Sequence, residues 1–400
     1  MKYECVTELS ALKNYLQNAP VVGFDFETAP LIQYRNDPRA SLDAHRACIV
    51  GVSLSVKEGT GIYVPLEHFD GGNANAAEVI RYLRDQLWMN PVVIKVAHNL
   101  AFESMFLYAL GIIIQPPCYD TIAAAQMTLK TPFEFRSLSD CGLKKLVPEL
   151  IGDELPTFKE VVLARRATAN ACVGRAKPAT DLRPAMAEKE VTEGRFFDEL
   201  PSHAPETVRY ACADADYALR LYHLFNAWFD KALPKHRFIV EQIESPTAVY
   251  CGLMKYNGLL MDETAMIRKQ GECAARLLEI RKRIREMIGD VDIGANASTQ
   301  TFKNYLFKTL GLPVLKTTEK NAQAADDQTM VMLAEWCGKH RPELVPLFEM
   351  VQEYRKWAKL KATYIDGYLS FINPATGRIH CDLMPLATET GRFAARNPNL

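Results

Sequence analysis

Two carboxylates stand two residues apart in a short apolar segment near the start of the chain. Asp25 and Glu27 lie within Pro20–Thr28 (PVVGFDFET), where alternating apolar side chains predict a β-strand. Side chains two apart on a strand point to the same face, so both carboxylates face away from the apolar side. Such a pair is half of a site for Mg²⁺, which takes oxygen ligands. The alternative is a strand that simply ends in the turn Thr28-Ala29-Pro30.

A phenol and a carboxylate stand four residues apart later in the chain. Tyr210 and Asp214 belong to the helical run YACADADYALRLY, and this spacing places them on one helix face, one turn apart. A carboxylate there can bind a metal ion while the phenol orients an attacking water molecule. Asp216 falls on a different face and is predicted to be a surface residue. The alternative for the pair is an ordinary solvated helix surface.

A third acidic residue opens a helix directly after a predicted strand. The segment Ala97–Glu103 (AHNLAFE) places Glu103 in the first helical turn. The alternative is structural: His98 and Asn99 cap the turn, and Glu103 is an acid that favours the positive end of the helix.

The elements that must position these side chains alternate between strands and helices. Besides Pro20–Thr28, strands are predicted at 49–56, 61–66 and 92–97, the first two of these joined by the glycine-containing link Lys57–Thr60. Helices are predicted at 76–87, 101–110, 120–129 and 206–229. This order predicts an α/β core, a mixed sheet flanked by helices. Residues 164–193 are rich in Ala, Arg, Lys, Thr and Pro and are predicted to form an irregular insertion.

The second half of the chain is predicted to be helical. Apolar residues recur at steps of three and four over 238–256 and 263–288. Ser298 is predicted to cap a helix that runs to 310, and a further helix is predicted over 342–364. The domain boundary is predicted near Leu233-Pro234.

Composition excludes several classes of protein. With 400 residues, 48% of them hydrophobic and 24% charged, the chain is too long for one core and too ordinary for a disordered or fibrous protein. No run of eighteen apolar residues and no secretion signal is present, and the ten cysteines form no CxxC pair. These features predict no membrane span, no zinc cluster and a reducing cytosol.

Charge is distributed unevenly along the chain. Residues 1–235 hold 25 basic and 29 acidic side chains, whereas residues 236–400 hold 22 basic and 19 acidic ones. This asymmetry fits metal chemistry in the first half and contact with a polyanion in the second. Solvated surface charge is the alternative, and the counts alone favour it.

The order of the three motifs resembles that of the DEDD exonuclease superfamily. Specifically, DxE on a first strand, N-L-x-aromatic-acid after a later strand and YxxxD on a helix resemble the 3′→5′ proofreading domain of family A DNA polymerases. The segments Tyr119–Ile122 and Leu138–Leu150 continue the resemblance. The family's second motif carries aspartate, whereas this chain has Glu103, which keeps the charge and extends the carboxylate by one methylene.

The second half also resembles family A polymerases. The segments 244–262, 298–316 and 354–364 are similar to the thumb and to the helix leading into the palm. Thr376–His380, Thr390–Phe393 and Asn397–Leu400 continue the match. The family's polymerase carboxylates and fingers helix lie beyond the matching point, so we expect a cut fragment that shows only the exonuclease activity.

The resemblance implies both a fold and a mechanism. It implies an α/β ribonuclease H-like exonuclease domain at 1–235, a mainly α-helical thumb at 236–365 and the start of the palm at 366–400. It further implies that Asp25, Glu27 and Asp214 hold two Mg²⁺ ions, or Mn²⁺ as a substitute, about 3.5–4 Å apart. Glu103 would bind a metal directly or through water, and Tyr210 would orient the attacking water.

The implied partners are a single-stranded DNA 3′ end and primer–template DNA, bound by a monomer in the cytoplasm of a bacterium or of a phage host. DNA contacts are expected from Asn99, Lys359, Lys361, Arg392 and Asn399. The basic run at 281–285 contacts phosphates or is a solvated helix face.

One rival to this function is a stand-alone DEDD nuclease acting on DNA or RNA, which has no use for the thumb-like segments. Another is a DNA-binding module with a decayed catalytic site, against which the retained Asp25, Glu27, Tyr210 and Asp214 argue, whereas Glu103 leaves it open.

Overall fold

A computed structural model describes residues 1–129, 138–162, 196–231, 234–317, 322–388 and 392–400. The predicted irregular insertion at 164–193 lies outside the described residues. The chain divides into two compact units, one formed by Met1–Gly258 with His380–Leu400 and the other by Leu259–Ile379. These limits differ from those predicted at 235 and 365, because the segment that follows residue 235 packs onto the first unit. The functional assignment of the domains stays a prediction.

A mixed sheet organises the first unit. Its six strands are β1 (Lys2–Cys5), β2 (Val21–Pro30), β3 (Ala47–Ser55), β4 (Thr60–Pro65), β5 (Ile94–Ala97) and β6 (Cys118–Asp120). They lie in the order β1-β4-β3-β2-β5-β6. The strand β3 pairs antiparallel with β2 and β4, whereas the pairs β1–β4, β2–β5 and β5–β6 are parallel. The predicted mixed sheet is thus confirmed, although β1 and β6 were not foreseen because they are short and lack apolar alternation.

Helices flank this sheet, as predicted. They are α1 (Leu9–Leu16), α2 (Ala76–Leu83), α3 (Leu100–Ala109), α4 (Thr121–Leu129), α5 (Leu143–Leu150), α6 (Pro205–Lys231), α7 (Pro234–Ile239) and α8 (Ser245–Asn257). A π-helical segment, Val240–Glu244, joins α7 to α8. Glycine lets α8 pack closely on α3, since a Cβ atom on Gly252 would stand 2.3 Å from the carbonyl oxygen of Ala101.

The central strand β2 has two chemically different faces. Its apolar residues Val22, Phe24 and Phe26 are buried in a core that includes Trp88, whose ring centroid lies 5.7 Å from that of Phe26. This burial is the main force that fixes the strand in the sheet. The alternate residues of β2 therefore face the other side, where α6 packs.

The second unit is mainly helical. Its helices are α9 (Glu263–Ile288), α10 (Gln300–Asn304), α11 (Asp327–His340), α12 (Val345–Lys359) and α13 (Gly367–Ser370), with short strands β7 (Leu259–Leu260), β8 (Ile372–Asn373) and β9 (Arg378–Ile379). Its core gathers the apolar faces of α9 to α12. The strands β10 (Asp382–Met384) and β11 (Ala394–Arg396) pair antiparallel within the first unit.

One predicted helix cap is wrong by one residue. The hydroxyl oxygen of Thr299, not that of Ser298, accepts a hydrogen bond of 3.1 Å from the backbone N–H of Phe302. The hydroxyl of Ser298 instead donates to the side chain of Asn296. Both hydroxyls suit a helix N-terminus, so the local pattern does not decide between neighbours. Within the described ranges, no helix is long and apolar enough to cross a membrane.

Candidate active site

The face of β2 that carries Asp25 and Glu27 also carries Gly23. A Cβ atom on Gly23 would stand only 2.4 Å from the backbone carbonyl oxygen of Ala215 in α6. Glycine at this position therefore allows the helix to lie directly on the strand. Both carboxylates are only partly exposed on this face. After Glu27 the pairing with β3 shifts register, which ends the regular alternation just beyond the two carboxylates.

The contact at Ala215 brings Asp214, the carboxylate of the YxxxD motif, to the strand. Asp214 precedes Ala215 in α6, and Tyr210 lies one turn earlier, both partly exposed. The charges that act on Tyr210 agree with the prediction that Tyr210 and Asp214 share one face of the helix. Burial raises the pKa of its phenol well above the usual range, and the charges of Glu27, Asp214 and Asp25 raise it further.

Asp120 orients the helix that carries the third acidic residue. The carboxylate of Asp120 accepts hydrogen bonds from the backbone N–H groups of Asn99 (3.2 Å) and Leu100 (3.1 Å), so it caps α3 from the end of β6. Asn99 adopts left-handed backbone angles, with φ of 78°, at the turn into α3. The first turn of α3 then places Glu103 in the interior, where it is 1% exposed.

Electrostatics show that the predicted carboxylates act on one another. Burial raises the pKa of Asp25, and the charge of Asp214 raises it further. The pKa of Glu27 is raised by burial and then by the charges of Asp25 and Asp214. The pKa of Glu103 is raised by burial and by Asp25, and burial raises that of Asp214 to about 6. The four carboxylates, which shift one another's pKa in this way, are here called the carboxylate cluster.

The carboxylate cluster fits a hard divalent cation by its chemistry. Its donors are oxygen atoms, which Mg²⁺ prefers. Glu27 Oε1 and Glu103 Oε2 are buried without a hydrogen-bond partner in the described part of the chain, although buried polar atoms are usually satisfied. In the same residues, no three His, Cys, Asp or Glu side chains already stand close enough to hold a metal ion. Since like charges repel, we expect these carboxylates to rotate inward only around a cation.

Aromatic rings and a lysine surround Tyr210. The ring centroid of Phe197 lies 5.8 Å from that of Tyr210, and the centroid of Phe158 lies 6.1 Å away. Lys144 Nζ stands 5.0 Å from the centroid of the Tyr210 ring and 3.5 Å from its hydroxyl oxygen. The charge of Lys144 lowers the pKa of Asp25, Glu27 and Asp214, and so partly offsets the effect of burial.

Two residues of this site were missed by the sequence analysis. Lys144 and Asp120 both lie in segments that resemble the exonuclease family, yet no motif spacing gave either of them a role. A signal for Asp120 was available, because it opens the helix predicted at 120–129, and aspartate at such a position often accepts hydrogen bonds from backbone N–H groups. For Lys144 the helical pattern predicts only an exposed face.

The prediction for Asp216 was wrong. This residue is fully buried, not on the surface. Its carboxylate accepts hydrogen bonds from the Tyr3 hydroxyl (2.7 Å) and the Gly59 backbone N–H (2.8 Å) and forms an ion pair with Arg220 at 2.9 Å. These partners tie α6 to β1 and to the turn between β3 and β4. Asp216 therefore holds the helix in place from the side away from the carboxylate cluster.

A small cavity lies beside the N-terminus of α3. Its volume is about 100 Å³, and its walls include Asn99, Phe102, Gln126, Lys255 and Met384. All of them belong to the first unit. The predicted DNA contact Asn99 is exposed and lies at this cavity, one turn from Glu103.

The other predicted DNA contacts are spread over both units. Lys359 is exposed at the end of α12, whereas the ammonium of Lys361 lies 2.6 Å from the carboxylate of Asp366. Arg392 and Asn399 are exposed near the C-terminal strands. The backbone N–H of Arg392 donates a hydrogen bond to the Thr388 hydroxyl at 2.8 Å.

Two family models match separate parts of the chain. Residues 2–228 match the family described as 3′-5′ exonuclease, and residues 263–400 match the one described as DNA polymerase family A. The first match contains all five predicted catalytic residues, and the second begins with α9.

Curated relatives cover nearly all of the chain. It is 28% identical over 396 residues to the DNA polymerase I of Chloroflexus aurantiacus, a match that covers 98% of this chain and 36% of the relative. It is 26% identical over 392 residues to the DNA polymerase I of Pseudomonas aeruginosa, and this match covers 96% of this chain and 37% of the relative. The chain thus spans just over a third of the length of these relatives.

A solved structure has a similar fold. It is described as the POL domain of Pol1 from M. smegmatis in complex with DNA primer-template and dNTP, and it superposes with a TM-score of 0.69. The match has 18% sequence identity and covers 99% of this chain and 55% of that one.

Proposed function

The chain belongs to DNA polymerase family A, with a 3′-5′ exonuclease part over residues 2–228, and from this premise we propose that it removes nucleotides from DNA 3′ ends. The observation that carries the proposal is the carboxylate cluster. Its four members come from β2, α3 and α6, and their charges act on one another in a partly enclosed position. Placing four carboxylates together costs stability unless a cation binds them.

The residues that would hold two Mg²⁺ ions are Asp25, Glu27, Asp214 and Glu103, with Mn²⁺ as a substitute. Bound divalent ions of this kind lower the pKa of an attacking water and neutralise charge on phosphoryl oxygens. The protein's own part is to hold the carboxylates ready. β2 and α6 are fixed to one another at Gly23 and Ala215, and α3 is fixed by Asp120.

Tyr210 would orient the attacking water by hydrogen bonding, not as a base. The raised pKa of its phenol keeps the hydroxyl protonated at neutral pH. A neutral phenol both donates and accepts a hydrogen bond, so it can fix the position of a water molecule without removing a proton. The rings of Phe158 and Phe197 lie beside that of Tyr210, at centroid distances of 6.1 and 5.8 Å, and limit its movement.

The proposed substrate of the exonuclease part is the 3′ end of a single DNA strand. The cavity beside α3 lies one turn from Glu103 and offers an aromatic ring at Phe102 and amide groups at Asn99 and Gln126. Aromatic rings stack on bases without reading sequence, as proofreading requires. The product would be a nucleoside monophosphate, released by a protein that works as a monomer.

We assign the domains accordingly. The six-stranded mixed sheet with its covering helices supports a ribonuclease H-like exonuclease domain at 1–235. We retain the predicted thumb at 236–365, whose helices from residue 263 onward form the second unit while 236–258 pack with the first, and residues 366–400 would begin the palm. In the whole polymerase, Lys359, Lys361, Arg392 and Asn399 would contact primer–template DNA. This part of the proposal draws on the family match at 263–400.

The proposal is tested by the position of cleavage. Single-stranded DNA carrying a 3′-terminal label should release that label as a mononucleotide when Mg²⁺ is added, and release should stop with a chelator. The same DNA labelled at its 5′ end should shorten stepwise before any labelled mononucleotide appears. Early release of a 5′-terminal nucleotide, or cleavage inside the strand, would overturn the proposed direction.

A further inference from the structure

A lysine that none of the predicted motifs contains stands over the tyrosine of the site. We propose that Lys144 is a positioning residue, whose ammonium holds the Tyr210 hydroxyl in the orientation that the attacking water requires. This inference rests on the proposed exonuclease function and assigns to the same site a residue outside its carboxylates and its tyrosine.

Helix α5 explains why Lys144 points toward Tyr210. Its buried residues Leu143, Leu146 and Val147 form one apolar face, which packs into the same core as Tyr217 of α6. Residues outside that face are exposed, and Lys144 is one of them. Because α5 packs against α6, the exposed lysine in the first turn of α5 reaches Tyr210 on α6.

Two contacts join the lysine to the tyrosine. Lys144 Nζ donates a long hydrogen bond of 3.5 Å to Tyr210 Oη, and it lies 5.0 Å from the centroid of the ring. The second distance is within the range of a cation–π interaction. An ammonium group has donors only, so the contact fixes Tyr210 Oη as the acceptor. The phenolic proton is then free to be donated to a water molecule.

Lys144 has a second effect on the same site. Its charge lowers the pKa of Asp25, Glu27 and Asp214, which favours the ionised carboxylates that a cation needs. The same charge repels a cation, so the two effects on metal affinity oppose each other. We therefore expect Lys144 to act on the rate of the reaction through Tyr210 and not on metal binding.

The neighbouring lysine provides a matched control. Lys145 is also exposed in the first turn of α5, but its ammonium pairs with the carboxylate of Asp140 at 2.8 Å. Lys145→Met removes the same charge from the same helix turn without touching Tyr210. Lys144→Met keeps the length and apolar stem of the side chain, so the helix should fold in both variants.

The test is a double-mutant cycle in the nuclease assay. Lys144→Met should lower kcat by roughly 10- to 100-fold, the size expected when a reacting group is misplaced. KM and Mg²⁺ affinity should change less than about twofold, and Lys144→Arg should restore part of kcat. In a Tyr210→Phe background, Lys144→Met should cost almost nothing more. An equal loss in both backgrounds, or an equal loss in Lys145→Met, would overturn the positioning role.

A second measurement is independent of activity. In protein labelled with fluorotyrosine, the fluorine NMR signal assigned to Tyr210 should shift or broaden in Lys144→Met and stay unchanged in Lys145→Met. An unchanged signal in Lys144→Met would refute the contact, even if the wild-type protein proved inactive. If the wild-type protein is inactive but the NMR signal changes as expected, the proposed function is refuted while the contact between Lys144 and Tyr210 stands.

Discussion

The backbone carbonyl oxygen of Ala215 occupies the space that a methyl group on Gly23 would need. A Cβ atom added to Gly23 would stand 2.4 Å from that oxygen, closer than Cβ atoms come to backbone atoms in folded proteins. Asp25 follows two residues after Gly23, and Asp214 comes one residue before Ala215. The close approach of strand and helix therefore sets the distance between two carboxylates of the cluster.

Gly23→Ala should move α6 away from β2. We expect a loss of about 1–3 kcal/mol in the free energy of unfolding, as for other overpacked cores. Metal-dependent nuclease activity should also fall, because Asp214 moves with the helix. The matched control is Gly271→Ala in α9, where an added Cβ meets no atom within 4 Å. That change should stabilise its helix by up to about 1 kcal/mol and leave the nuclease unaffected.

Glu103→Asp should retain nuclease activity. The carboxylate of Glu103 is buried and its Oε2 has no hydrogen-bond partner in the described residues, so the shorter side chain keeps the charge without breaking a contact at that atom. Glu103→Gln removes the charge and should lower activity and weaken Mg²⁺ binding. A complete loss in Glu103→Asp, measured as initial rate at saturating Mg²⁺, would show that the longer side chain is required here.

Residue spacing predicted the direction of side chains correctly where a strand or helix buries only one face. Asp25 and Glu27 share a strand face because the apolar partners alternate with them, and the helix bounds of α9 match the prediction at both ends. Asp216 was misplaced because α6 is enclosed on more than one side. Its partners Tyr3 and Gly59 are distant in sequence, and no local periodicity reports them.

The same limit explains the missed residues of the site. Lys144 is exposed, but exposure says nothing about which side chain lies opposite it. Its contact with Tyr210 depends on how α5 packs on α6, which is a tertiary property. Likewise, Asp120 caps a helix that begins twenty residues earlier in the chain, across the parallel pair β5–β6.

A buried lysine gives a prediction about pH. Lys95 in β5 is fully buried, its ammonium donates to the Asn90 carbonyl oxygen at 2.8 Å, and burial lowers its pKa to about 8. The pKa of Lys95 is lower in the folded chain than in the unfolded chain. At pH values between these two pKa values, the unfolded chain therefore binds more protons than the folded chain. The cost of burying the charge is therefore fully present below pH 8 and fades as pH rises above 8.

Lys95→Met should therefore raise the free energy of unfolding by up to about 3 kcal/mol at pH 7, since the pKa falls from 10.5 to about 8 and one unit of pKa corresponds to about 1.4 kcal/mol. This advantage should shrink between pH 8 and pH 10. The control is Lys57→Met at an exposed lysine, which should change stability little at any pH. Denaturant unfolding across this pH range measures both variants, and a pH-independent gain for Lys95→Met would contradict the buried-charge account.

DNA binding by the second unit should depend on which lysines are already paired. With a chelator present to prevent cleavage, primer–template binding should weaken as salt rises, because phosphate contacts release counterions. Lys359→Ala should reduce the magnitude of the log–log salt slope by about one. Lys361→Ala should reduce it less, because Asp366 lies 2.6 Å from the ammonium of Lys361. Equal effects of the two variants, or none, would refute these contacts.

The carboxylate cluster is tested most directly by removing its two members on β2. Asp25→Ala together with Glu27→Ala should abolish Mg²⁺-dependent release of the 3′-terminal nucleotide from labelled single-stranded DNA. The loss in initial rate should exceed the 10- to 100-fold typical of changes to outer partners of a metal site. Glu58→Ala, in the exposed turn between β3 and β4, should retain the full rate and confirm that the assay reports the site. Mg²⁺-dependent release at the wild-type rate by the folded double variant would contradict the account and place the nuclease site elsewhere.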